Sequence, residues 1–203
     1  LDIGANQGQF AEKLIQYGYN KKIVSFEPIK YIHNKLLNKS KNYNNWQIYK
    51  KCAFGKSKGF KFLNISENTV SSSFMDINKA HIKVEPRARY TRKEKINLIT
   101  LNDYFKKKQF KNKNIFIKID TQGYEKNIIL GGAKILKNIT GVMLEVSIIK
   151  VYKKEETYLG MIALMEKMGF TVWSIERGFT NKKTGQVLQM DIIFINKNVL
   201  QSI

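Results

Sequence analysis

The sequence predicts an α/β fold in which a mostly parallel sheet is covered by helices on both faces. Short apolar runs of strand length alternate with longer amphipathic runs along the chain. A glycine-rich turn joins the first strand to the first helix, and an acidic residue ends the second strand. The last two strands are joined by a short link that contains two glycines, which indicates an antiparallel pair.

Each predicted strand is a short run of mostly apolar residues. The predicted strands occupy residues 1–3, 23–26, 46–54, 59–65, 96–100, 115–119, 142–146, 171–175 and 191–195. Only Lys118 interrupts the apolar character of residues 115–119, so we expect this strand at the centre of the sheet.

The predicted helices lie between these strands. They occupy residues 9–17, 31–37, 101–107, 125–136 and 157–168. In the first of them, Phe10, Leu14 and Tyr17 recur on one helical face. Gly18 and Gly169 follow the first and last helices, where a left-handed residue commonly ends a helix.

Residues 64–95 have the least regular pattern in the chain. They contain a polar stretch around Ser72 and Ser73 and a basic tract from 87 to 93. A long irregular insertion in a compact domain is usually either functional or mobile. We therefore interpret residues 64–95 either as a substrate lid, whose serines contact cofactor or acceptor, or as a solvated surface loop.

The composition limits the architecture and the partners. With 203 residues, we expect one domain over residues 1–203. The net charge of +20 comes almost entirely from lysines, which are spread along the chain. Asn and Ile are abundant as well, and AT-rich codons favour all three residues, so genome composition could explain the charge. We therefore expect no nucleic-acid partner. With one cysteine, Cys52, and two histidines, we expect neither a disulfide nor a bound metal.

The sequence also predicts where the protein is located. The sequence contains no apolar run long enough to span a bilayer and no visible signal peptide, so we expect a cytoplasmic protein. The chain does not begin with Met, and its first strand starts inside the glycine-rich motif. We therefore expect that further residues precede Leu1.

The first turn has the spacing Asp-x-Gly-x-Asn-x-Gly, formed by Asp2, Gly4, Asn6 and Gly8. An acid here would repel a pyrophosphate but could pair with an amino group, which favours S-adenosylmethionine over a dinucleotide. Glu27 stands about twenty residues later, at the end of the second strand, where it could accept hydrogen bonds from ribose hydroxyls. The alternative is a structural turn in which Asp2 caps the first helix.

Two further acids, Asp120 and Glu145, fall at or near the ends of later strands. Because ligands of an open α/β sheet bind beyond the carboxyl ends of the strands, we expect both beside the nucleoside cradle. Asp120 is our first candidate for a general base, with Glu145 and His81 as lesser candidates. The alternatives are a helix cap for Asp120, a buried acid paired with Lys118 for Glu145, and a surface histidine for His81.

The chain resembles the FkbM family of S-adenosylmethionine-dependent methyltransferases. The resemblance is carried by LDIGANQG at residues 1–8, FEP at 26–28, ITLNDY at 99–104, IKIDTQGYE at 117–125, GGA at 131–133 and LEV at 144–146. It implies a class I methyltransferase fold, which is Rossmann-like, with seven strands of which the last is antiparallel. It also implies methyl transfer to oxygen, often to a hydroxyl of a sugar, a glycan or a glycosylated natural product.

The resemblance also implies roles for individual residues. The first turn would line the methionine end of the cofactor, and Glu27, followed by Pro28, would hold the ribose. The backbone near Ala53 would meet the adenine, and Asp120 and Gln122 would face the transferred methyl group and the acceptor. Asn102 departs from the family pattern, in which an acid is commoner.

Two other functions stay open from the sequence. One is a methyltransferase that acts on RNA or protein, for which RNA binding would depend steeply on salt. The other is a module that binds the nucleoside without catalysis. An oxidoreductase that uses a nicotinamide cofactor is disfavoured, because the chain lacks G-x-G-x-x-G.

Overall fold

The computed structural model describes residues 1–106 and 114–200. The strands of this part are β1 (Asp2–Ile3), β2 (Ile23–Phe26), β3 (Trp46–Ile48), β4 (Ala53–Phe54), β5 (Gly59–Ser66), β6 (Tyr90–Ile99), β7 (Phe116–Ile119), β8 (Gly141–Ser147), β9 (Phe170–Arg177) and β10 (Gln189–Asn196). The helices are α1 (Gln9–Gln16), α2 (Lys30–Ser40), α3 (Lys79–Val84), α4 (Leu101–Lys106), α5 (Glu125–Gly131), α6 (Ala133–Leu136), α7 (Tyr158–Lys167) and α8 (Lys197–Leu200), with a 3₁₀ turn at Pro86–Ala88.

Seven strands form the main sheet in the order β3-β2-β1-β7-β8-β10-β9. The first five are parallel to one another, and β10 runs antiparallel to both β8 and β9. The strand β7 lies at the centre and pairs with β1, so that Asp2 stands opposite Lys118. This confirms the predicted sheet, including its central strand and its antiparallel end.

Helices cover both faces of this sheet. Side chains alternate between the two faces along each strand, so both faces carry apolar groups that helices can bury. On one face, α1 and α2 pack through Ala11 and Leu36 against Ile23 and Trp46. On the other face, α4, α5 and α7 pack against the largest buried cluster, which includes Phe26, Ile117, Ile119, Leu144 and Phe194. The core therefore holds the carboxyl ends of β1, β2, β7 and β8 close together.

The predicted strand at residues 46–54 is wrong as a single element. Residues 46–48 form β3 of the main sheet, whereas residues 53–54 form β4, which belongs to a separate three-stranded sheet of order β4-β6-β5. The exposed pair Lys50 and Lys51 marks the point where the chain leaves the main sheet. Cys52, expected within the strand, lies just before β4 and is buried.

Residues 64–95 are more regular than the sequence predicts. The segment contains the end of β5, the helix α3, the 3₁₀ turn and the first half of β6, which pairs antiparallel with β5. The basic tract lacked a strand signal because the first residues of β6 are mostly exposed and carry no apolar alternation. Within this segment, residues 67–78 form the longest stretch without a helix or strand, and Glu85 and Arg89 are the other residues outside these elements.

Two of the predicted helices also differ in detail. The helix predicted at residues 125–136 is divided into α5 and α6 at Gly131 and Gly132. A Cβ at Gly131 would collide with the carbonyl oxygen of Gly55, so the close approach of the two segments requires glycine there. The helix predicted at residues 101–107 is observed as α4, and Lys107 lies outside the described residues.

Candidate active site

A cavity of about 700 Å³ lies at the carboxyl ends of β1, β2, β7 and β8. Its volume is in the range of sites that hold small molecules and cofactors. Ten of the twelve predicted site residues line it: Gly4, Asn6, Glu27, Pro28, Ala53, Ser72, His81, Asp120, Gln122 and Glu145. The structure therefore brings residues from distant parts of the sequence to one place.

The first turn is held tightly against its neighbours. Gly4 has a φ of 80°, and a Cβ there would collide with the carbonyl oxygen of Asp120. The backbone N–H groups of Gly4 and Ala5 donate to the carbonyl oxygen of Phe26, at 3.1 Å and 3.0 Å. The turn thus connects the ends of β1, β2 and β7, and only glycine fits at its tightest point.

Glu27 is oriented by the backbone on both of its oxygens. The N–H of Asn6 donates to Oε2 at 2.9 Å, and the N–H of Ile29 donates to Oε1 at 2.7 Å. The side chain is only 3% exposed, and burial raises the pKa of Glu27 to about 7 although the two backbone hydrogen bonds lower it. Each oxygen keeps a second lone pair, so the carboxylate could still accept hydroxyl groups from a ligand.

Two of the predicted cofactor residues do not line the cavity. Asp2 is buried beneath its floor, where Oδ2 accepts a hydrogen bond from the Ser25 hydroxyl at 2.9 Å and Oδ1 lies 3.7 Å from Nζ of Lys118. Gly8 packs against Trp46, where a Cβ would collide with the indole ring. Asp2 thus pairs with a lysine and Gly8 permits helix packing, and contact of either residue with a ligand stays a prediction.

Ala53 and Ser72 line the opposite wall of the cavity. Ala53 belongs to β4, between Cys52 and Phe54, which line the cavity as well. Burial raises the pKa of the Cys52 thiol to about 12, so this cysteine is neutral. Ser72 lies in the segment without helix or strand, and its hydroxyl accepts a hydrogen bond from the N–H of Ser66 at 3.1 Å.

Asp120 and Glu145 are bridged by the side-chain amide of Gln122. Its Nε2 donates to Oδ1 of Asp120 at 2.9 Å and to Oε2 of Glu145 at 2.7 Å. The other oxygen of Asp120 accepts a hydrogen bond from Lys118 at 3.1 Å. Glu145 accepts a second amide hydrogen bond, from Gln189 at 3.0 Å. Two amide groups, rather than the predicted Lys118, thus donate hydrogen bonds to Glu145.

The surroundings give these two carboxyl groups opposite properties. Burial alone would raise the pKa of Asp120, but the Lys118 ammonium and the hydrogen bonds hold that pKa below its ordinary value. Burial raises the pKa of Glu145 well above its ordinary value, and the negative charge of Asp120 raises it further. Because two adjacent carboxylates repel each other, Glu145 takes up a proton at a higher pH than Asp120 does.

Gln122 itself is held by two hydroxyl groups. Its φ of 59° is left-handed, and its carbonyl oxygen accepts a hydrogen bond from the Ser73 hydroxyl at 2.6 Å. The Tyr152 hydroxyl donates to Oε1 at 2.7 Å and also lies 3.2 Å from the carbonyl oxygen of Ser71. These contacts fix which end of the amide faces the carboxyl pair.

The chain matches the model of a known protein family over most of its length. The family model described as the methyltransferase FkbM domain matches residues 2–172. The chain belongs to the FkbM methyltransferase family. No curated protein sequence matches it.

Solved structures resemble the fold of this FkbM domain. The methyltransferase FkbM from Methylobacillus flagellatus KT is 12% identical with a TM-score of 0.54, and the match covers 94% of this chain and 42% of that one. A Listeria monocytogenes protein described as an S-adenosylmethionine dependent methyltransferase is 9% identical with a TM-score of 0.52, over 96% of this chain and 89% of that one. At such identities the likeness establishes the fold. This chain thus spans less than half the length of the Methylobacillus protein.

His81 occupies a different position in the FkbM domain from the surface site that the sequence suggested. It lies in α3 and is 8% exposed, and its ring contacts Phe179 at a centroid distance of 5.3 Å and Tyr152 at 6.4 Å. Its Nδ1 is buried and has no hydrogen-bond partner among the described residues. Burial lowers the pKa of His81, although Glu85 raises it, so the imidazole is neutral.

Several residues that line the cavity were not predicted. Phe74 and Tyr124 lie with ring centroids 5.0 Å apart at a tilt of 54°, and Nζ of Lys61 lies 4.5 Å above the Tyr124 ring. Gln189 and Asp191 both come from β10. The sequence did contain a signal for these two, since residues two apart in a strand share a face.

Two further findings concern the described residues. No group of three or more His, Cys, Asp or Glu side chains is arranged there to hold a metal ion. None of the helices in residues 1–106 and 114–200 has the length and apolar character that crossing a membrane requires.

Proposed function

We propose that this FkbM domain transfers a methyl group from S-adenosylmethionine to a hydroxyl oxygen of a small acceptor. A sugar, a glycan or a glycosylated natural product is the acceptor class that we favour. The observation that carries the proposal is a single cavity that joins a backbone-anchored acid, Glu27, to an ionised carboxylate, Asp120. The description of the Listeria protein as S-adenosylmethionine dependent supports the choice of cofactor.

The residues at one end of the cavity fit the cofactor. Glu27 would hold the ribose hydroxyls, since both of its oxygens are oriented and keep free lone pairs. The Gly4 turn permits close approach of a ligand to the backbone, and Asn6 lies beside it. Ala53 and the Phe74–Tyr124 ring pair offer apolar surface for adenine. When bound, the cofactor supplies a methyl group on a positively charged sulfonium.

The residues at the other end would position the acceptor. The negative charge of Asp120 favours a cationic methyl donor nearby, because opposite charges in a partly dry site attract strongly. Glu145, whose raised pKa favours its protonated form, could donate a hydrogen bond in that form, and Gln122 holds both carboxyl groups in place. This arrangement serves mainly to align the reacting atoms and to exclude water.

The charge of the cavity supports a neutral or cationic acceptor. Although the chain carries a net charge of +20, the described residues that line the cavity include the carboxyl groups of Glu27, Glu85, Asp120, Glu145 and Asp191, against the two lysines Lys13 and Lys118. A polyanion would meet like charges at this site. The lining therefore favours a small hydroxyl compound over RNA.

We also propose that residues 1–203 act as one methyltransferase domain and that residues 64–95 form a lid. Ser71 and Ser72 of this segment line the cavity, and Ser73 bonds to Gln122. Movement of the segment would therefore open the cavity and at the same time break the hydrogen bond between Ser73 and Gln122. A cytoplasmic location stays a prediction of the sequence.

Calorimetric titration tests the cofactor. We expect the wild-type protein to bind S-adenosylmethionine but not NAD. Glu27→Gln should weaken that binding about tenfold or more, because hydrogen bonds to a charged group are lost. Glu156→Gln is the matched control, since Glu156 pairs with Lys126 at 2.6 Å outside the cavity. Transfer of a labelled methyl group to a panel of neutral sugars then tests the acceptor class. Equal binding by the two variants, or NAD binding, would contradict the proposal.

A further inference from the structure

Three carboxyl groups stand in a row along the upper edge of the main sheet. Glu145 in β8 is the direct cross-strand partner of Asp191 in β10. Asp120 follows β7 by one residue and is level with Glu145, because Ile119 pairs with Leu144. All three line the cavity. The row starts beside Gly4, at the cofactor end, and Asp191 is its outermost member.

The two inner members of the row are already engaged. Both oxygens of Asp120 accept hydrogen bonds, from Lys118 and Gln122, and its low pKa makes it a weak base. Oε2 of Glu145 accepts two amide hydrogen bonds, and burial raises the pKa of this carboxyl well above its ordinary value. A general base needs a free oxygen and a proton affinity matched to the working pH. Neither inner carboxyl meets both requirements.

Asp191 has the properties that the inner pair lacks. Within residues 1–106 and 114–200, its carboxylate makes no hydrogen bond and no ion pair, and it is partly exposed. The charged groups that face it are Asp120 and Glu145 in its own row, Lys118 on β7 and Glu176 on β9. Burial and the charge of Asp120 raise the pKa of Asp191 to about 6, while Lys118 lowers it. Asp191 is therefore mostly ionised at neutral pH and still able to take a proton.

We propose that Asp191 is the general base that takes the proton from the acceptor hydroxyl. This inference rests on the proposed methyl transfer. The acceptor oxygen forms the new C–O bond as the S–CH₃ bond breaks, and the electron pair of that bond goes to sulfur, which becomes a neutral thioether. The hydroxyl proton goes to a carboxylate oxygen of Asp191 and then to water. Asp120 and Glu145 position the reactants without exchanging the proton.

Carbon NMR of the aspartate carboxyl groups tests this placement without a known acceptor. S-adenosylmethionine carries a positive sulfonium, whereas S-adenosylhomocysteine is neutral there. If Asp191 lies within reach of the transferred methyl, its pKa is lower by about one unit or more in the first complex, because an opposite charge within about 4–6 Å has that effect. The spectrum of Asp191→Asn assigns the signal. Asp103, partly exposed and paired with Lys58 outside the cavity, is the internal control, and its pKa should not change between the complexes.

The outcomes separate this inference from the proposed function. Equal pKa values of Asp191 in the two complexes would overturn the inference and leave the proposed function standing. Absence of binding by either compound would remove both. With any hydroxyl acceptor that the wild type methylates, Asp191→Asn should lower kcat about 100-fold or more and leave KM for S-adenosylmethionine unchanged. Asp103→Asn, at a partly exposed position outside the cavity, should keep the wild-type rate, and a wild-type rate in Asp191→Asn would also overturn the inference.

Discussion

At the scale of single residues, the site depends on backbone positions that few side chains tolerate. Gly4, Gln122 and Gly123 all have left-handed φ values, and they lie in the two turns that meet at the cavity. The first of these turns touches the second directly, since Gly4 packs on the carbonyl of Asp120. A change at Gly4 would therefore disturb both halves of the site.

Gly4→Ala should destabilise the protein by about 3 kcal/mol, from left-handed strain together with a collision. Gly18→Ala is the matched control. Gly18 has a similar φ of 86° but no neighbouring atom within 4 Å, so only the strain of about 1–2 kcal/mol applies. Urea unfolding of the two variants measures the difference. Equal losses of unfolding free energy would show that the contact with Asp120 is not tight.

The raised pKa of Glu27 predicts how cofactor affinity depends on pH. With a pKa of about 7, this carboxyl is mostly protonated at pH 6 and mostly ionised at pH 8. Ribose hydroxyls donate to the ionised form, so the affinity for S-adenosylmethionine should rise about tenfold over that range. Stability has the opposite sign: the contribution of Glu27 is fully present below its ordinary pKa of 4.5 and is lost as the pH rises through 7.

Calorimetry at pH 6, 7 and 8 measures this dependence. Glu27→Gln should remove most of it, because the amide does not titrate. If the variant kept the full pH dependence, another group such as Asp191 would be responsible for it.

Individual site residues could be predicted from sequence where a motif carries them. Gly4, Asn6, Glu27 and Asp120 have fixed spacings relative to strand ends, and the structure places them at the cavity. Asp2 lies in the same motif, but its side chain points to the sheet face that holds Lys118. That pairing joins positions 116 residues apart in the chain, so spacing alone could not reveal it.

At the scale of elements, the sequence predicted the main sheet better than the small one. The strands β2, β7 and β8 are continuous apolar runs because both of their faces are buried. By contrast, half of β6 is exposed and basic, and β4 has only two residues. Their pairing is determined by tertiary contacts, which leave little local pattern in the sequence.

A side-chain hydrogen bond caps the N-terminus of the helix α7. The Thr157 hydroxyl accepts a hydrogen bond from the N–H of Gly160 at 3.1 Å and so caps the helix. Thr157→Ala should lower the free energy of unfolding by about 1 kcal/mol, whereas Thr157→Ser should change it little because the oxygen is kept. Thermal unfolding followed by circular dichroism tests both. A loss as large in the serine variant would assign the effect to packing of the methyl group.

At the scale of the whole molecule, buried apolar contacts connect the two sheets. The small sheet packs through Ile65, Ile96 and Leu98 against Ile29 and Ile32, which lie at the start of α2. Phe54 of β4 belongs to the main cluster, where its ring lies 4.8 Å from that of Phe26. These contacts predict that both sheets unfold together.

Trp46 provides a test of that cooperativity. It is buried beside the main sheet, whereas Trp173 is 64% exposed, so Trp173→Phe leaves one buried fluorescent reporter. We expect its urea transition to coincide with that of far-ultraviolet circular dichroism, as in two-state unfolding. Transitions at separate urea concentrations would mean that the small sheet is an independent unit and would contradict a single domain.

The position of β1 has a consequence for how the chain assembles during synthesis. This strand of two residues lies between β2 and β7, and its pairing places Asp2 opposite Lys118. The centre of the sheet therefore cannot close until more than half of the chain has been translated. Until then one edge of β1 lacks its partner, and contacts so distant in sequence form slowly. The nascent chain therefore leaves one edge of β1 unpaired until residue 119 has emerged from the ribosome.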